Sequence, residues 1–268
     1  MIFNRAVITH GGAGSDPEES DGPNVAATAG LEFMKKGGSS LDAVTLAVKM
    51  LEDDPRFNAG TGSKRRIDGR TVELDASCMT SDHQFGAVAC VEGVRNPIEI
   101  ARGVLLKSTS ICLAGNGALL FARENNIPID PLDNDSENKI SENNTSPSCD
   151  TVGAVAFDGE TFAAALSTGG LKNGAIGRVS DVPMPGCGLF CGPLGAVACT
   201  GDGEFIAMEI LAKQVYDWLA SGVHSDIAVK KAIALFDDSV DIGLIVLTKN
   251  GLSADARRGM AWSHLIEV

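Results

Sequence analysis

Aromatic side chains are scarce in this chain: ten Phe, two Trp and one Tyr make up 5% of 268 residues. Against them stand 31 glycines and long stretches rich in Ala and Val. Small side chains let sheets and helices approach closely and leave backbone available to polar groups. Basic charge is short as well. With 22 Lys and Arg against 35 Asp and Glu, the net charge is −13, which argues against nucleic acid, because phosphate binding relies on Lys and Arg. No apolar run approaches the ~20 residues of a membrane span. The apolar stretch at 6–8 is too short for a signal-peptide core. A cytoplasmic protein without a membrane partner is expected.

Familiar chemical signatures are missing too. There is no G-x-S-x-G, no H-E-x-x-H and no G-x-x-x-x-G-K-[ST]. Gly60, Thr61, Gly62, Ser63 and Lys64 have the flavour of a phosphate loop with the wrong spacing. Four scattered histidines, His10, His83, His224 and His264, leave little scope for a Ser-His-Asp triad, which requires an imidazole base beside the nucleophile. Seven cysteines include no C-x-x-C pair, and Cys187 and Cys191 lack a second ligand pair. They read as buried small apolar residues in a reducing compartment. The N-x-S/T matches at Asn134 and Asn143 carry no weight without a secretory signal.

What is present fits one large α/β domain. The chain is 44% hydrophobic and 21% charged, and at this length about 75% of the extended-chain surface is buried on folding, so the core needs no disulfide or metal. Residues 5–10 read as a buried strand running into a glycine turn, and 23–36 as a helix stopped by Gly37 and Gly38. Ser39 with Asp42 resembles a capping box, and Leu41, Val44, Val48 and Leu51 then fall on one helical face. A turn-rich loop at 53–63 follows, with Phe57 as its buried aromatic. Strands are expected at 70–80 and 85–92, a helix from Asn96-Pro97 to about 106, a short strand at 111–114 and a helix to about 125. Residues 126–150 carry three prolines and many polar residues, and a mobile or exposed linker is expected there. Beyond it come a hairpin through Asp158-Gly159, more glycine-rich strand to Thr200, helices near 203–219 and 224–237, and a closing strand pair around Asn250-Gly251. This order suits two sheets stacked face to face with helices outside.

Thr151 stands first in a small-residue strand, directly after that linker. A threonine hydroxyl is a poor nucleophile until a base takes its proton. As an N-terminus, Thr151 would carry its own base, an α-amino group with an unperturbed pKa near ~8. From position alone it reads more readily as a β-branched residue opening a strand.

The remaining motifs widen the view. HGGAG (10–14), LEDDPRFNAGTG (51–62), ELDAS (73–77), GAVA (86–89), DTVGAVAFDG (150–159), STGG (167–170), GRVSDVP (177–183) and TGDGE (200–204) occur in one order. Together, from Ala6 to about Trp262, they resemble the plant-type asparaginases, or isoaspartyl peptidases, of the N-terminal-nucleophile hydrolases. The resemblance implies an α+β fold, a four-layer αββα sandwich with two mainly antiparallel sheets between helix layers. It implies a precursor of one domain that cuts itself between Asp150 and Thr151 into subunits 1–150 and 151–268. Thr151 would be the nucleophile, Thr168 would help activate it, and Asn58 would orient its amine. Thr200 and the N–H of Gly201 would form the oxyanion hole, where one donor is commonly worth ~3–4 kcal/mol. Arg178 would hold the substrate α-carboxylate and Asp181 its α-ammonium, with Gly201 and Gly203 lining the substrate site. The carbonyls of Leu51, Glu52, Asp54, Phe57, Ala59 and Thr61 resemble those that hold a structural sodium; no other cofactor is implied. A homodimer of processed αβ units is implied as well.

Each residue also has a plainer reading. Thr168 and Thr200 would be strand ends, Arg178 with Asp181 a surface ion pair, Asn58 a turn stabiliser, and 51–61 an ordinary loop. Some residues depart from the family pattern. Asp150 stands where many relatives have Gly, and supplies a carboxylate beside the scissile bond. Ser180 and Val182 replace the Gly and Ser of GRVGDSP, at the expected pocket floor. Asp202 adds a negative charge near the oxyanion donors, which would disfavour acidic leaving groups. Hydrolysis of L-asparagine and of β-aspartyl dipeptides is the leading expectation. Glycosylasparaginase, a threonine-aspartase-like protease and a non-processing amino-acid-binding homologue are the alternatives.

Overall fold

The structure, a computed structural model, describes residues 3–132 and 151–268. Seven strands form the larger sheet: β1 (Arg5–Ala13), β2 (Leu74–Thr80), β3 (Phe85–Val91), β4 (Cys112–Ala114), β5 (Val152–Phe157), β6 (Phe162–Thr168) and β11 (Met260–Glu267). Their order is β11-β1-β5-β6-β2-β3-β4, antiparallel except for the β3–β4 pair. The smaller sheet holds β7 (Leu189–Gly192), β8 (Gly195–Gly201), β9 (Ile242–Leu247) and β10 (Leu252–Ala256), in the order β10-β9-β8-β7 and antiparallel throughout.

Strand alternation sends successive side chains to opposite faces, and three apolar layers result. Val7, Ala76, Ala154 and Ala165 face Leu31 of α1 (Asp21–Lys35), Val44 and Val48 of α2 (Ser40–Asp53) and Ile98 of α3 (Pro97–Lys107), with Ala118 of α4 (Gly115–Glu124) beside them. Their strand neighbours Ile8, Val155, Ala164 and Leu166 face Leu189, Ala198, Ile245 and Leu247 of the other sheet. On the far side, Val197, Cys199, Leu244 and Val246 meet Leu211 and Val215 of α6 (Leu211–Ala220) and Val229 of α7 (Ser225–Ile233). Helix, sheet, sheet, helix is the expected αββα sandwich. Among the described residues no helix is long and apolar enough to cross a membrane.

Local chemistry explains several boundaries. At the start of α2, Ser39 and Asp42 form a reciprocal capping box, each satisfying an otherwise orphaned backbone donor. α3 opens with Pro97 and has no side-chain cap of its own. Its first turn is instead capped from α2, where Glu52 Oε1 accepts from Ile98 N–H at 3.1 Å and Oε2 from Asn96 Nδ2 at 3.2 Å. Burial pushes the Glu52 carboxyl up to about 8.

Four boundaries differ from expectation. The 203–219 helix is two, α5 (Gly203–Glu209) and α6, broken at Ile210, which sits in the left-handed region at φ 49°, ψ 46°. α7 ends at Ile233 rather than 237, and Arg257 Nη2 accordingly donates to Ile233 O and Phe236 O at 2.7 and 2.8 Å. The run 252–262 divides at Arg257–Arg258–Gly259 into β10 and β11, which join different sheets. Lastly, 126–132 are tied down. Ile127 and Ile129 pack on the helix-side core and Leu132 is buried. Arg95 N–H donates to Asp130 O at 2.9 Å, and Val94 bridges Pro131. Spaced apolar residues outweigh the prolines there. The rest of the expected linker, with Asp150, lies outside the described residues.

All six described cysteines are free. Cys78, Cys187, Cys191 and Cys199 are buried as expected, whereas Cys90 is half-buried and Cys112 exposed.

Phe57 is fully buried in the helix-side core, so Phe57→Ala is expected to cost about 3–5 kcal/mol. The midpoint of chemical denaturation measures it.

Candidate active site

The expected site residues gather where several strands end. Val152 pairs with Ser167; one step further along this register, Thr151 stands opposite Thr168, which itself pairs with Asp75 of β2. Thr151 and Thr168 are both buried. On the other flank of β5, His10 of β1 pairs with Gly153. Burial drives the His10 imidazole down to about 3, against an opposing pull from the Thr151 backbone. Such a weakly basic ring is a poor proton acceptor for Thr151. Three residues on, Ala13 N–H donates to Thr200 Oγ1 at 3.0 Å. The end of β1 therefore spans from Thr151 in one sheet to Thr200 in the other.

Gly201 follows at φ +129°, and an added methyl would come within 2.2 Å of Asp241 O, so only glycine fits beside β9. Asp202 is held to the same place. Its N–H donates to Asp241 O at 2.9 Å and its Oδ2 accepts from Asp241 N–H at 2.8 Å. The Asp241 carboxyl is buried beside it, its pKa raised by burial and further by Asp202, with Arg258 opposing.

The second glycine that matters is Gly203. A methyl there would lie 2.5 Å from Asp181 Oδ1 and 3.0 Å from Arg178 Nη2. The guanidinium and the carboxylate thus converge over one bare patch of backbone. Burial pushes the Asp181 carboxyl up to about 7, with Arg178 pulling it down and Asp75 and Glu204 pushing it up. Arg178 and Asp181 make no direct salt bridge; Arg178 pairs with Glu204 instead, Nε to Oε1 at 2.9 Å and Nη2 to Oε2 at 2.8 Å.

Asn58 reaches the site by a different route from the one expected. Its Nδ2 donates to Gly170 O at 2.7 Å and its Oδ1 accepts from Lys64 N–H at 2.9 Å, while Gly169 N–H donates to Asn58 O at 2.9 Å. In the continuous chain it braces the loop behind Thr168 against the 57–64 segment. Gly170 N–H in turn donates to Thr168 Oγ1 at 3.0 Å.

The departures at 180 and 182 sit behind the site, not on its floor. Ser180 gives its N–H and hydroxyl to Asp75 Oδ2 at 2.8 and 2.7 Å. Val182 points into the core between the sheets. In the 51–61 loop the carboxylates have partners, Glu52 at the start of α3, Asp53 Oδ1 with Asn96 Nδ2, and Asp54 with Arg56, so a hard cation there would rely on backbone oxygens. The carbonyls of Asp54, Phe57 and Ala59 each accept one backbone hydrogen bond, which leaves each a second lone pair.

Residues 3–264 match the family model described as asparaginase. The chain belongs to the asparaginase family. Among relatives of this family member, the plant-type L-asparaginase of Pyrococcus abyssi is 39% identical over 259 residues, covering 86% of this chain and 84% of that protein. The isoaspartyl peptidase/L-asparaginase of Danio rerio is 38% identical over 268 residues, covering 91% and 86%. The protein of the same description from Rattus norvegicus is 38% identical over 269 residues, covering 91% and 80%.

Several residues of this family member act on the site without a role foreseen from sequence. Glu73 Oε1 and Oε2 accept from Gly177 N–H at 3.0 and 2.8 Å, just before Arg178. Arg66, fully buried, donates from Nε to Glu73 Oε2 and from Nη2 to Glu73 O, both at 3.0 Å. Asp75 accepts from Cys90 N–H at 2.8 Å as well as from Ser180. Acidic residues at alternate positions of an apolar strand, preceded by a basic run, were the available signal.

Removing one partner of a buried pair leaves the other charge uncompensated, so Arg66→Met should cost about 3–5 kcal/mol. The double variant Arg66→Met/Glu73→Gln should recover part of that loss, as a denaturation-based double-mutant cycle would measure.

Proposed function

We propose that this member of the asparaginase family is an amidohydrolase that cuts its own chain before Thr151 and then hydrolyses the side-chain amide of L-asparagine, and β-aspartyl dipeptides, through the Thr151 hydroxyl. The observation that carries the reading is a continuous chain of neighbours: Thr151 opposite Thr168, Thr168 paired with Asp75, Asp75 bound to Ser180 just before Asp181, and Asp181 with Arg178 over Gly203, three residues from Thr200. In self-cleavage, Thr151 Oγ attacks the carbonyl of Asp150, the acyl group moves from nitrogen to oxygen, and water hydrolyses the ester. This frees the Thr151 α-amine. In turnover that amine takes the hydroxyl proton as Oγ attacks the substrate amide, and hands it to the departing ammonia or amine. Water then releases aspartate from the acyl-enzyme.

Thr168 Oγ1 would help activate Thr151. Thr200 and the Gly201 N–H would stabilise the oxyanion. Arg178 would take the α-carboxylate, Asp181 the α-ammonium, and Gly203 would leave room for the carbon between them. Asn58 would orient the freed amine once its amide is no longer shared with Gly170. A weakly basic His10 supports the α-amine as the base. A structural sodium on the carbonyls of Leu51, Glu52, Asp54, Phe57, Ala59 and Thr61 belongs to the same reading, supported by the loop's free carbonyl lone pairs. So does a cytoplasmic setting, supported by six unpaired cysteines among the described residues. A homodimer of processed units is supported by Phe205, Met208 and Ile210, an apolar set left exposed at α5.

Intact mass decides the first step. Aged protein should give fragments of 150 and 118 residues, and Thr151→Ala should remain whole and release no ammonia from asparagine. A persistently intact wild-type chain with no turnover would sink the proposal.

Asp181 must be ionised to pair with an ammonium. Its carboxyl is raised to about 7 in the free site, so it holds a proton below that pH and loses it above. kcat/KM for asparagine should therefore fall about tenfold per pH unit below about 7. Rate profiles between pH 5 and 8 measure it.

A further inference from the structure

We propose that Glu204 is a positioning residue for substrate recognition: it grips one edge of the Arg178 guanidinium and so presents the other edge to the substrate α-carboxylate. The proposal rests on the amidohydrolase reading above.

A guanidinium offers two forked edges to carboxylates, one from Nε with a hydrogen of Nη2, the other from Nη1 with the second hydrogen of Nη2. Glu204 occupies the first edge with two parallel bonds, 2.9 Å to Nε and 2.8 Å to Nη2. Among the described residues Nη1 has no hydrogen-bond partner, and Nη2 lies beside the bare backbone of Gly203. Nη2, the nitrogen common to both edges, is the one beside Gly203 and the Asp181 carboxylate, so the second edge is the one left for an arriving carboxylate. The two partners differ in exposure: the Arg178 side chain is 14% exposed and that of Glu204 60%. Glu204 thus reaches in from the surface to a cation that is largely desolvated, where a charge-assisted pair is worth more than on an open surface.

Glu204 itself is well placed to stay put. It stands in the first turn of α5, next to Gly203, and the start of that helix is tied to β9 through Asp202 and Asp241. Without it, the nearest opposite charge to Arg178 would be Asp181. The two would neutralise each other across Gly203, and the space for an α-amino acid would close. The second carboxylate keeps the clamp open. It also discriminates: two acids and one base favour a zwitterion over an anion that lacks the ammonium.

The test uses the processed protein and its variants Glu204→Gln and Glu204→Asp. Glu204→Gln should raise KM for L-asparagine about tenfold or more, with kcat changed by less than about threefold, because chemistry at Thr151 is untouched while a charge-assisted fork is lost. Glu204→Asp should recover part of KM. The acid limb of kcat/KM should also move to lower pH in Glu204→Gln. The groups acting on Asp181 are Arg178, Asp75 and Glu204, with the Cys187 and Cys199 thiols nearby, and only the Glu204 charge is removed. A merely structural Glu204 would leave that limb in place. Calorimetric titration with L-aspartate provides a measurement free of turnover, and should show a matching loss of affinity. Unchanged KM, unchanged aspartate affinity and an unmoved acid limb in Glu204→Gln would overturn the proposal. A wild-type protein that binds aspartate but never turns over would sink the amidohydrolase reading instead, and weakened aspartate binding by Glu204→Gln would still support the clamp.

Discussion

Two carboxylates on β2 and the turn before it, Glu73 and Asp75, sit buried on the same side of the strand, because residues two apart share a face. Neither can remain there without donors, and beside Arg66 and Cys90 N–H the donors come from the chain at 177–180. Gly177 gives its N–H to Glu73; Ser180 gives both N–H and hydroxyl to Asp75. Arg178 lies between those two anchors and Asp181 directly after them. The satisfaction of two buried acids thus decides where a flexible, glycine-rich stretch is allowed to run. Arg66 neutralises Glu73, whereas Asp75 is held by hydrogen bonds alone. Displacing this network would move the clamp as a whole.

On the other side of the site, the constraint is the sheet. β5 lies between β1 and β6 with all of its residues buried, so Thr151, which leads into it, has neighbours fixed by register rather than by side-chain chemistry. Burial also strips the one adjacent imidazole of useful basicity. In the proposed reading the Thr151 hydroxyl calls on its own backbone amine, which would exist only after a peptide bond has broken. Structure and chemistry point the same way: a strand start with no external base is suited to a residue that becomes its own.

Much of this was legible beforehand. Periodicity and capping located the helices, and residues 5–10 read correctly as a buried strand. The order of the motifs named the candidate residues, and the register sets Thr151 opposite Thr168, beside Asp75. What was illegible followed from tertiary partners. Ile210 breaks a helix that its neighbours would continue, and nothing in its side chain announces a left-handed residue. The 252–262 run looks like one strand because changing sheets needs only a three-residue corner. Asn58 is held with its amide toward Gly170 and Lys64, as no motif could specify. Ser180 and Val182 looked like pocket residues because they interrupt a pattern; one binds Asp75 and the other fills the core.

The strand order has a consequence for how such a molecule can be lost. With a cut before Thr151, the large sheet would alternate between two chains: β11 from the second fragment, β1 from the first, β5 and β6 from the second, then β2, β3 and β4 from the first. Neither fragment would own a complete core, so no native form of either alone is available. Before the cut, unfolding is a unimolecular event and can reverse. Afterwards, recovery requires two different chains to meet and interleave, at a rate set by concentration. Maturation would turn an equilibrium property into a lifetime, governed by how slowly the sheet opens.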